Sequence, residues 1–226
     1  KLLEKIKKSN GAFSIPDIQE FMESVKCNTI KTKSSSKSDI TIVIHDTQIS
    51  QAAELGFSIK SKLGGDSTLL NAGKSTNFNF RIQNFKGNEK NIEVINNIQT
   101  RSKIKDRIEE IKKLGGKLEF DSLENIIFKN NLVLIDSLLP NILAELVKLF
   151  YTSNKNTIVD LVEEITKNNP LNYDNQFSHL FYEYKVKRFL TDVALGMMPA
   201  KVWDGQYDAT GGYLIVKEDG EVLCYH

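Results

Sequence analysis

Two short runs of alternating residues, joined by a brief connection, constrain the fold more than any other feature of the chain. Isoleucines occupy every second position of residues 39–45 (DITIVIH), a pattern that predicts a β-strand. Residues 55–60 (LGFSIK) predict a second strand. The short connection between them permits an antiparallel return, so we expect a hairpin. With a loop centred near Ser50, Asp39 would lie opposite the Lys60–Ser61 end of the second strand.

The remaining pattern is mixed. Residues 78–85 (FNFRIQNF) predict a third strand with two contrasting faces: Phe78, Phe80 and Ile82 on one, and Asn79, Arg81 and Gln83 on the other. Helical periodicity predicts helices over residues 16–25, 101–114, 123–135, 138–150, 157–166 and 176–195. Residues 213–216 and 221–225 flank a Glu-Asp-Gly turn and predict a closing hairpin. The fold class is therefore mixed α/β, a core sheet flanked by helices, with a helical segment and a C-terminal β hairpin.

We expect a single domain over residues 1–226. Within it, residues 1–86 form the core sheet region, 87–200 are mainly helical, and 201–226 hold the closing hairpin. The chain starts at Lys1 and stops at His226 inside a strand-like run, so we expect residues to be missing at both ends.

Charge and composition exclude several classes of protein. The net charge is only +1, so nucleic-acid binding would need local clusters of Lys and Arg. Two cysteines and three scattered histidines form no zinc-ligand grouping: Cys27, Cys224, His45, His179 and His226. The sequence shows neither an apolar run long enough to span a bilayer nor a signal peptide, so a cytoplasmic protein is expected.

The spacing Asp-x18-Ser-x-Lys, formed by Asp39, Ser58 and Lys60, is similar to that of the PD-(D/E)xK nuclease core. In that core a carboxylate holds a divalent metal, and a lysine orients or deprotonates the attacking water. The resemblance makes Asp39 and the Ile59 carbonyl metal ligands and Lys60 the catalytic lysine. Mg²⁺ suits such oxygen ligands.

Ser58 departs from this pattern, because the position two before the lysine is usually acidic. Some nucleases of this superfamily compensate with a glutamate about a dozen residues past the lysine, where this chain has Ala72-Gly73. Glu20 and Glu23, on the predicted helix before the hairpin, are the next candidate ligands. Each could equally be a solvated helix acid.

A polar segment follows Lys60. Gly73-Lys74-Ser75-Thr76 resembles the end of a phosphate-binding P-loop, but the glycine required five positions earlier is Thr68, and a strand rather than a helix follows. A DNA-contacting surface is the better interpretation, since lysines and short polar side chains contact phosphates and asparagine pairs with base edges. Its candidates are Lys62, Ser67, Thr68, Asn71, Lys74, Ser75, Thr76 and Asn77.

Two segments resemble HpaII-type restriction endonucleases, which are grouped with the PD-(D/E)xK nucleases: residues 56–80 (GFSIKSKLGGDSTLLNAGKSTNFNF) and 209–226 (ATGGYLIVKEDGEVLCYH). The resemblance implies a restriction-endonuclease-like core sheet and a type II enzyme of a restriction–modification system. Such an enzyme cuts double-stranded DNA at a short palindrome of the CCGG type with Mg²⁺. Cutting both strands implies a homodimer or a sequentially acting monomer.

Two alternatives remain open at this point. Ser58 also fits a sequence-specific DNA-binding module that has lost catalysis. The GKST stretch leaves a phosphate-binding or NTPase protein as a weaker third interpretation.

Overall fold

The computed structural model of the chain describes Glu4, Lys8 and residues 15–26, 38–46, 51–63, 70 and 73–225. Its elements, in chain order, are α1 (Pro16–Ser24), β1 (Ile40–Asp46), β2 (Gln51–Ser61), a 3₁₀ turn (Lys74–Thr76), β3 (Phe78–Gln83), α2 (Glu89–Asn96), α3 (Lys103–Lys113), β4 (Lys117–Leu123), α4 (Ile126–Ile135), α5 (Leu139–Thr152), α6 (Ile158–Asn168), α7 (Phe181–Leu195), β5 (Gly212–Val216) and β6 (Val222–Tyr225). The chain folds into two compact units. The first comprises Lys1–Leu69, Asp192–Met197 and Gly205–His226, and the second comprises Leu70–Thr191 and Met198–Asp204.

The first unit contains a four-stranded sheet in the order β1-β2-β5-β6. β1 pairs antiparallel with β2, β2 pairs parallel with β5, and β5 pairs antiparallel with β6. The mixed α/β prediction and both predicted hairpins are confirmed. The parallel pairing of β2 with β5 joins segments that are distant in sequence.

The register of the first hairpin differs from the prediction. Ile40 pairs with Phe57, and the ladder continues to Asp46 and Gln51. Asp39 therefore lies beside Ser58, not beside Lys60–Ser61 as predicted. The error arose because β2 begins four residues earlier than its apolar pattern indicates. The added residues, of which 52–54 are exposed, needed no hydrophobic pattern to pair with the exposed strand β1.

Gly56 allows β2 to pass close to the chain before β5. The Gly211 N–H donates to the Gly56 carbonyl at 2.7 Å, and the Gly56 N–H donates to Thr210 Oγ1 at 3.2 Å. A Cβ on Gly56 would lie 2.3 Å from Ser38 Oγ and 2.4 Å from the Asp208 carbonyl oxygen. Because the second atom belongs to the backbone, it cannot move aside as the end of a side chain could. The two segments with the family resemblance thus meet at a glycine.

Replacing Gly56 with alanine is expected to destabilise the protein by about 1–3 kcal/mol, the usual cost of overpacking a tight site. The midpoint of urea unfolding, followed by circular dichroism, measures the change. Gly73→Ala is the matched control, because a Cβ at Gly73 has no atom within 4 Å. Equal shifts of the midpoint in the two variants would contradict the assigned close contact.

The second unit is built from helices and a two-stranded antiparallel sheet of β3 and β4. Its largest fully buried side chains come from three successive helices: Phe128, Leu132, Leu139, Ile142 and Ile165. Phe78 lies with its ring centroid 6.0 Å from that of Phe120 and 6.4 Å from that of Phe128. One face of the β3–β4 ribbon therefore belongs to the apolar core of this unit.

The predicted helices are present with shifted ends, and α7 begins at Phe181 rather than at residue 176. β4 was missed, although Leu118 and Phe120 alternate with polar residues in it. α1 has the predicted position but no buried residue, and Phe21 is 62% exposed. Among the described helices, none combines the length and the apolar character needed to cross a membrane.

Candidate active site

Asp39 is fixed against the backbone of β2. Its N–H donates to the Phe57 carbonyl at 2.8 Å. Its Oδ2 accepts the Ile59 N–H at 2.6 Å and lies 3.4 Å from the Ser58 hydroxyl, which donates to it. These bonds orient the carboxylate through one oxygen, so Oδ1 is the oxygen left for a further ligand.

The Ile59 carbonyl points to the same edge of β2 as the Asp39 carboxylate. In an extended strand, the N–H and C=O of one residue point to the same side, and the Ile59 N–H meets Asp39. The β1 ladder starts only at Ile40, opposite Phe57, so in the described part of the sheet β1 does not pair with β2 at Ile59. A carboxylate and a backbone carbonyl thus face one small region at the end of the β1–β2 ladder.

Ser58 is the buried member of the site. The residue is 1% exposed, and its hydroxyl reaches Asp39. An acid in its place would be buried beside a second carboxylate, which is costly unless a cation neutralises the pair. Serine instead supplies a neutral hydrogen-bond donor.

Lys60 follows two residues later on the same strand and pairs with Ile215 of β5. Its side chain is half-buried and shares the Ser58 face of the sheet. Because the Ser58 hydroxyl contacts Asp39, the carboxylate and the lysine lie toward one face. Within the described residues, the Lys60 ammonium is not ion-paired with Asp39. β2 thereby presents the Ser58 hydroxyl and the Lys60 ammonium on one short segment, with the Asp39 carboxylate held beside it.

Comparison with known proteins identifies the family of the chain. The family model for the HpaII restriction endonuclease matches residues 1–226. The chain belongs to the HpaII restriction endonuclease family. It is 56% identical over 227 residues to the type II restriction enzyme HpaII of Haemophilus parainfluenzae, covering 100% of this chain and 62% of that relative. The chain therefore spans less than two thirds of the length of the curated relative it matches. No solved structure matches it.

The additional acids predicted for the site, Glu20 and Glu23, belong to no group of metal-ligating side chains among the described residues. Glu20 and Glu23 are exposed on α1. In the ranges that the structure describes, no group of three or more His, Cys, Asp and Glu residues could hold a metal ion. The oxygen donors placed together are those of Asp39, Ser58 and Ile59. Glu20 and Glu23 stay predictions.

The predicted DNA-contacting residues fall into three groups. Lys62 is exposed just after β2, and its N–H donates to the Val216 carbonyl at 2.9 Å. Lys74 and Asn77 are exposed, Ser75 and Thr76 half-buried. The third group lies outside the described residues: Ser67, Thr68 and Asn71.

The GKST stretch does not have the surroundings of a P-loop. Lys74–Thr76 is a single 3₁₀ turn, and β3 follows it at Phe78. A P-loop needs a helix at this point, whose N-terminus holds the phosphates. The P-loop resemblance is therefore limited to the identity of the four residues 73–76.

Sequence reasoning gave no function to the polar face of β3. It is extended by β4, which carries Glu119 and Asp121 at exposed positions. The signal that could have found it was the alternation of Asn79, Arg81 and Gln83 with apolar residues. Because β4 was not predicted, the contribution of its residues to this surface could not be recognised from the sequence.

Proposed function

We propose that the protein carrying this chain is a type II restriction endonuclease. It hydrolyses phosphodiester bonds of double-stranded DNA at a short palindrome of the CCGG type and uses Mg²⁺. The observation that carries the proposal is the Asp39 carboxylate, held by the Ile59 N–H at 2.6 Å on the strand that bears Lys60. Membership of the HpaII family supports it.

The oxygen donors around Asp39 fit Mg²⁺, which binds through one or two carboxylates together with substrate phosphate oxygens and water. Asp39 Oδ1 and the Ile59 carbonyl would hold the ion, with Glu20 or Glu23 as the candidate further carboxylate. When bound, Mg²⁺ supplies a Lewis acid that stabilises charge on the scissile phosphate. The Ile59 N–H and the Ser58 hydroxyl keep Asp39 oriented throughout.

Lys60 acts on the water that attacks the phosphorus. Its side chain lies on the same face of β2 as the carboxylate, where the ammonium would orient the water by donating a hydrogen bond to it, whereas the neutral amine would accept its proton. Half-burial limits the number of positions open to the side chain and favours a defined geometry. Lys62, Lys74 and Asn77 provide exposed contacts to DNA.

Cutting both strands of a palindrome requires two cleavage events with the active site in opposite orientations. A homodimer supplies both at once, and a monomer supplies them by acting twice. Both arrangements are compatible with the proposed chemistry of one chain.

A digest of one mapped plasmid tests the proposal. The full-length protein is expected to produce the fragment pattern of a CCGG-type site with Mg²⁺, and no fragments with EDTA. Specific binding without Mg²⁺-dependent nicking would favour a DNA-binding module that has lost catalysis, for which Ser58 is the best argument. Heat released on titration with ATP would instead favour the NTPase interpretation.

A further inference from the structure

One exposed surface of the second unit has no role in the site described above. It is the polar ribbon face, formed by Asn79, Arg81 and Gln83 of β3 and Lys117, Glu119, Asp121 and Ser122 of β4. Arg81 is directly opposite Glu119 in the antiparallel register, and the Arg81 side chain is 67% exposed. The opposite face of the same ribbon carries Phe78, Phe80 and Phe120, whose rings contact one another. The ribbon therefore packs through its apolar face and presents its polar face to solvent.

Arg81 and Glu119 do not bond to each other, although they are cross-strand neighbours. Arg81 Nη2 donates instead to Asp121 Oδ1 at 2.5 Å. Glu119 Oε2 accepts from Gln83 Nε2 at 2.9 Å. Each member of the central pair is thus held by a diagonal neighbour, which leaves most of the five guanidinium donors and the other Glu119 oxygen open. A fixed donor fork and a fixed acceptor stand side by side, with Cβ atoms about 5 Å apart in such pairs.

The charge of this face argues against a phosphate-binding role. It carries two cations, Arg81 and Lys117, and two carboxylates, Glu119 and Asp121, so its charges cancel. A surface that binds phosphates carries more lysine and arginine than acidic residues, because carboxylates repel the DNA backbone. Base edges differ, because they offer both donors and acceptors.

A G·C pair offers the matching partners in the major groove. Guanine presents its O6 and N7 acceptors to a bidentate arginine, and cytosine presents its N4 amino group to a carboxylate. A two-stranded β-ribbon fits into the major groove, which is about 12 Å wide. The bulge between Asn79 and Phe80 increases the local twist of the ribbon.

We propose that the polar ribbon face enters the major groove and determines specificity, with Arg81 donating to a guanine and Glu119 accepting from its paired cytosine. Asp121 and Gln83 are positioning residues that hold these two side chains. The inference rests on the proposed function, because a target made of G·C pairs is what makes this donor and acceptor pair useful.

The test is binding of the full-length protein to a set of short duplexes, with Ca²⁺ in place of Mg²⁺. One duplex contains CCGG, others carry one symmetric base-pair substitution each, and one is scrambled. Arg81→Lys keeps the charge but loses the bidentate fork. It is expected to weaken CCGG binding about 10- to 100-fold, leave scrambled-duplex binding unchanged, and remove the penalty for substitution at one symmetric pair of positions.

Arg101→Lys is the matched control, because Arg101 is exposed outside the ribbon. It is expected to leave all the affinities unchanged. If Arg81→Lys weakens every duplex equally, or none, while the wild-type protein prefers CCGG, the inference is overturned and the proposed function stands. If the wild-type protein shows no preference among the duplexes, the proposed function fails and the ribbon inference fails with it.

Discussion

Asp39→Asn is expected to lower the rate of DNA cleavage by about 10³-fold or more, because it removes a charge that would hold the metal. Asparagine has the same shape as aspartate, and its amide oxygen can still accept the Ile59 N–H that Oδ2 now accepts at 2.6 Å. The fold and the hairpin register are therefore retained. What is lost is the negative charge that would hold Mg²⁺, and a bound metal supplies several kcal/mol of transition-state stabilisation.

Single-turnover cleavage across a range of Mg²⁺ concentrations measures this effect. The residual rate of Asp39→Asn is expected to rise with Mg²⁺ beyond the concentration that saturates the wild-type protein. Glu218→Gln is the matched control, because Glu218 is an exposed acid of the same unit outside the site. Cleavage by Asp39→Asn at the wild-type rate would remove Asp39 from the assigned role.

The local hairpins were predictable because their signals lie within a few residues. Alternation over 39–45 and the Glu-Asp-Gly turn before β6 each identify a strand pair without reference to the rest of the chain. The parallel pairing of β2 with β5 could not be predicted in this way. It joins Phe57 to Gly212, and no local pattern selects one distant partner strand over another.

The contacts of the candidate site depend on the register of the β1–β2 hairpin. A shift of three residues moved the neighbour of Asp39 from Lys60–Ser61 to Ser58. Asp39 consequently contacts the Ser58 hydroxyl and the Ile59 N–H. The residues of the candidate site were predicted from spacing and resemblance, but their contacts follow from the pairing of residues that have no apolar pattern.

Ser58 has a physical explanation that spacing alone did not provide. The side chain is 1% exposed and its hydroxyl donates to Asp39. A buried second carboxylate would repel the first one whenever no cation lies between them. Serine at this position lets the hairpin fold around a single carboxylate. In the PD-(D/E)xK pattern this position is usually acidic, and Glu20 and Glu23 are the predicted sources of a replacement carboxylate.

Lys60→Ala is expected to lower cleavage by about 10²- to 10⁴-fold, the usual contribution of a group that transfers or orients a proton. The half-buried ammonium carries no structural ion pair with Asp39 in the described part of the chain, so its removal leaves no carboxylate of that site unpaired. β2 continues to pair with Ile215 and its neighbours through the backbone. Binding to a CCGG duplex in Ca²⁺ should therefore be largely preserved.

A loss of rate without a loss of specific binding separates a catalytic lysine from a lysine that contacts phosphate. Removing a phosphate contact weakens binding to all sequences. Lys217→Ala is the control, since Lys217 lies in the same sheet region and pairs with Glu221 instead. Plasmid cleavage by Lys60→Ala at the rate of Lys217→Ala would show that the water is positioned by another group.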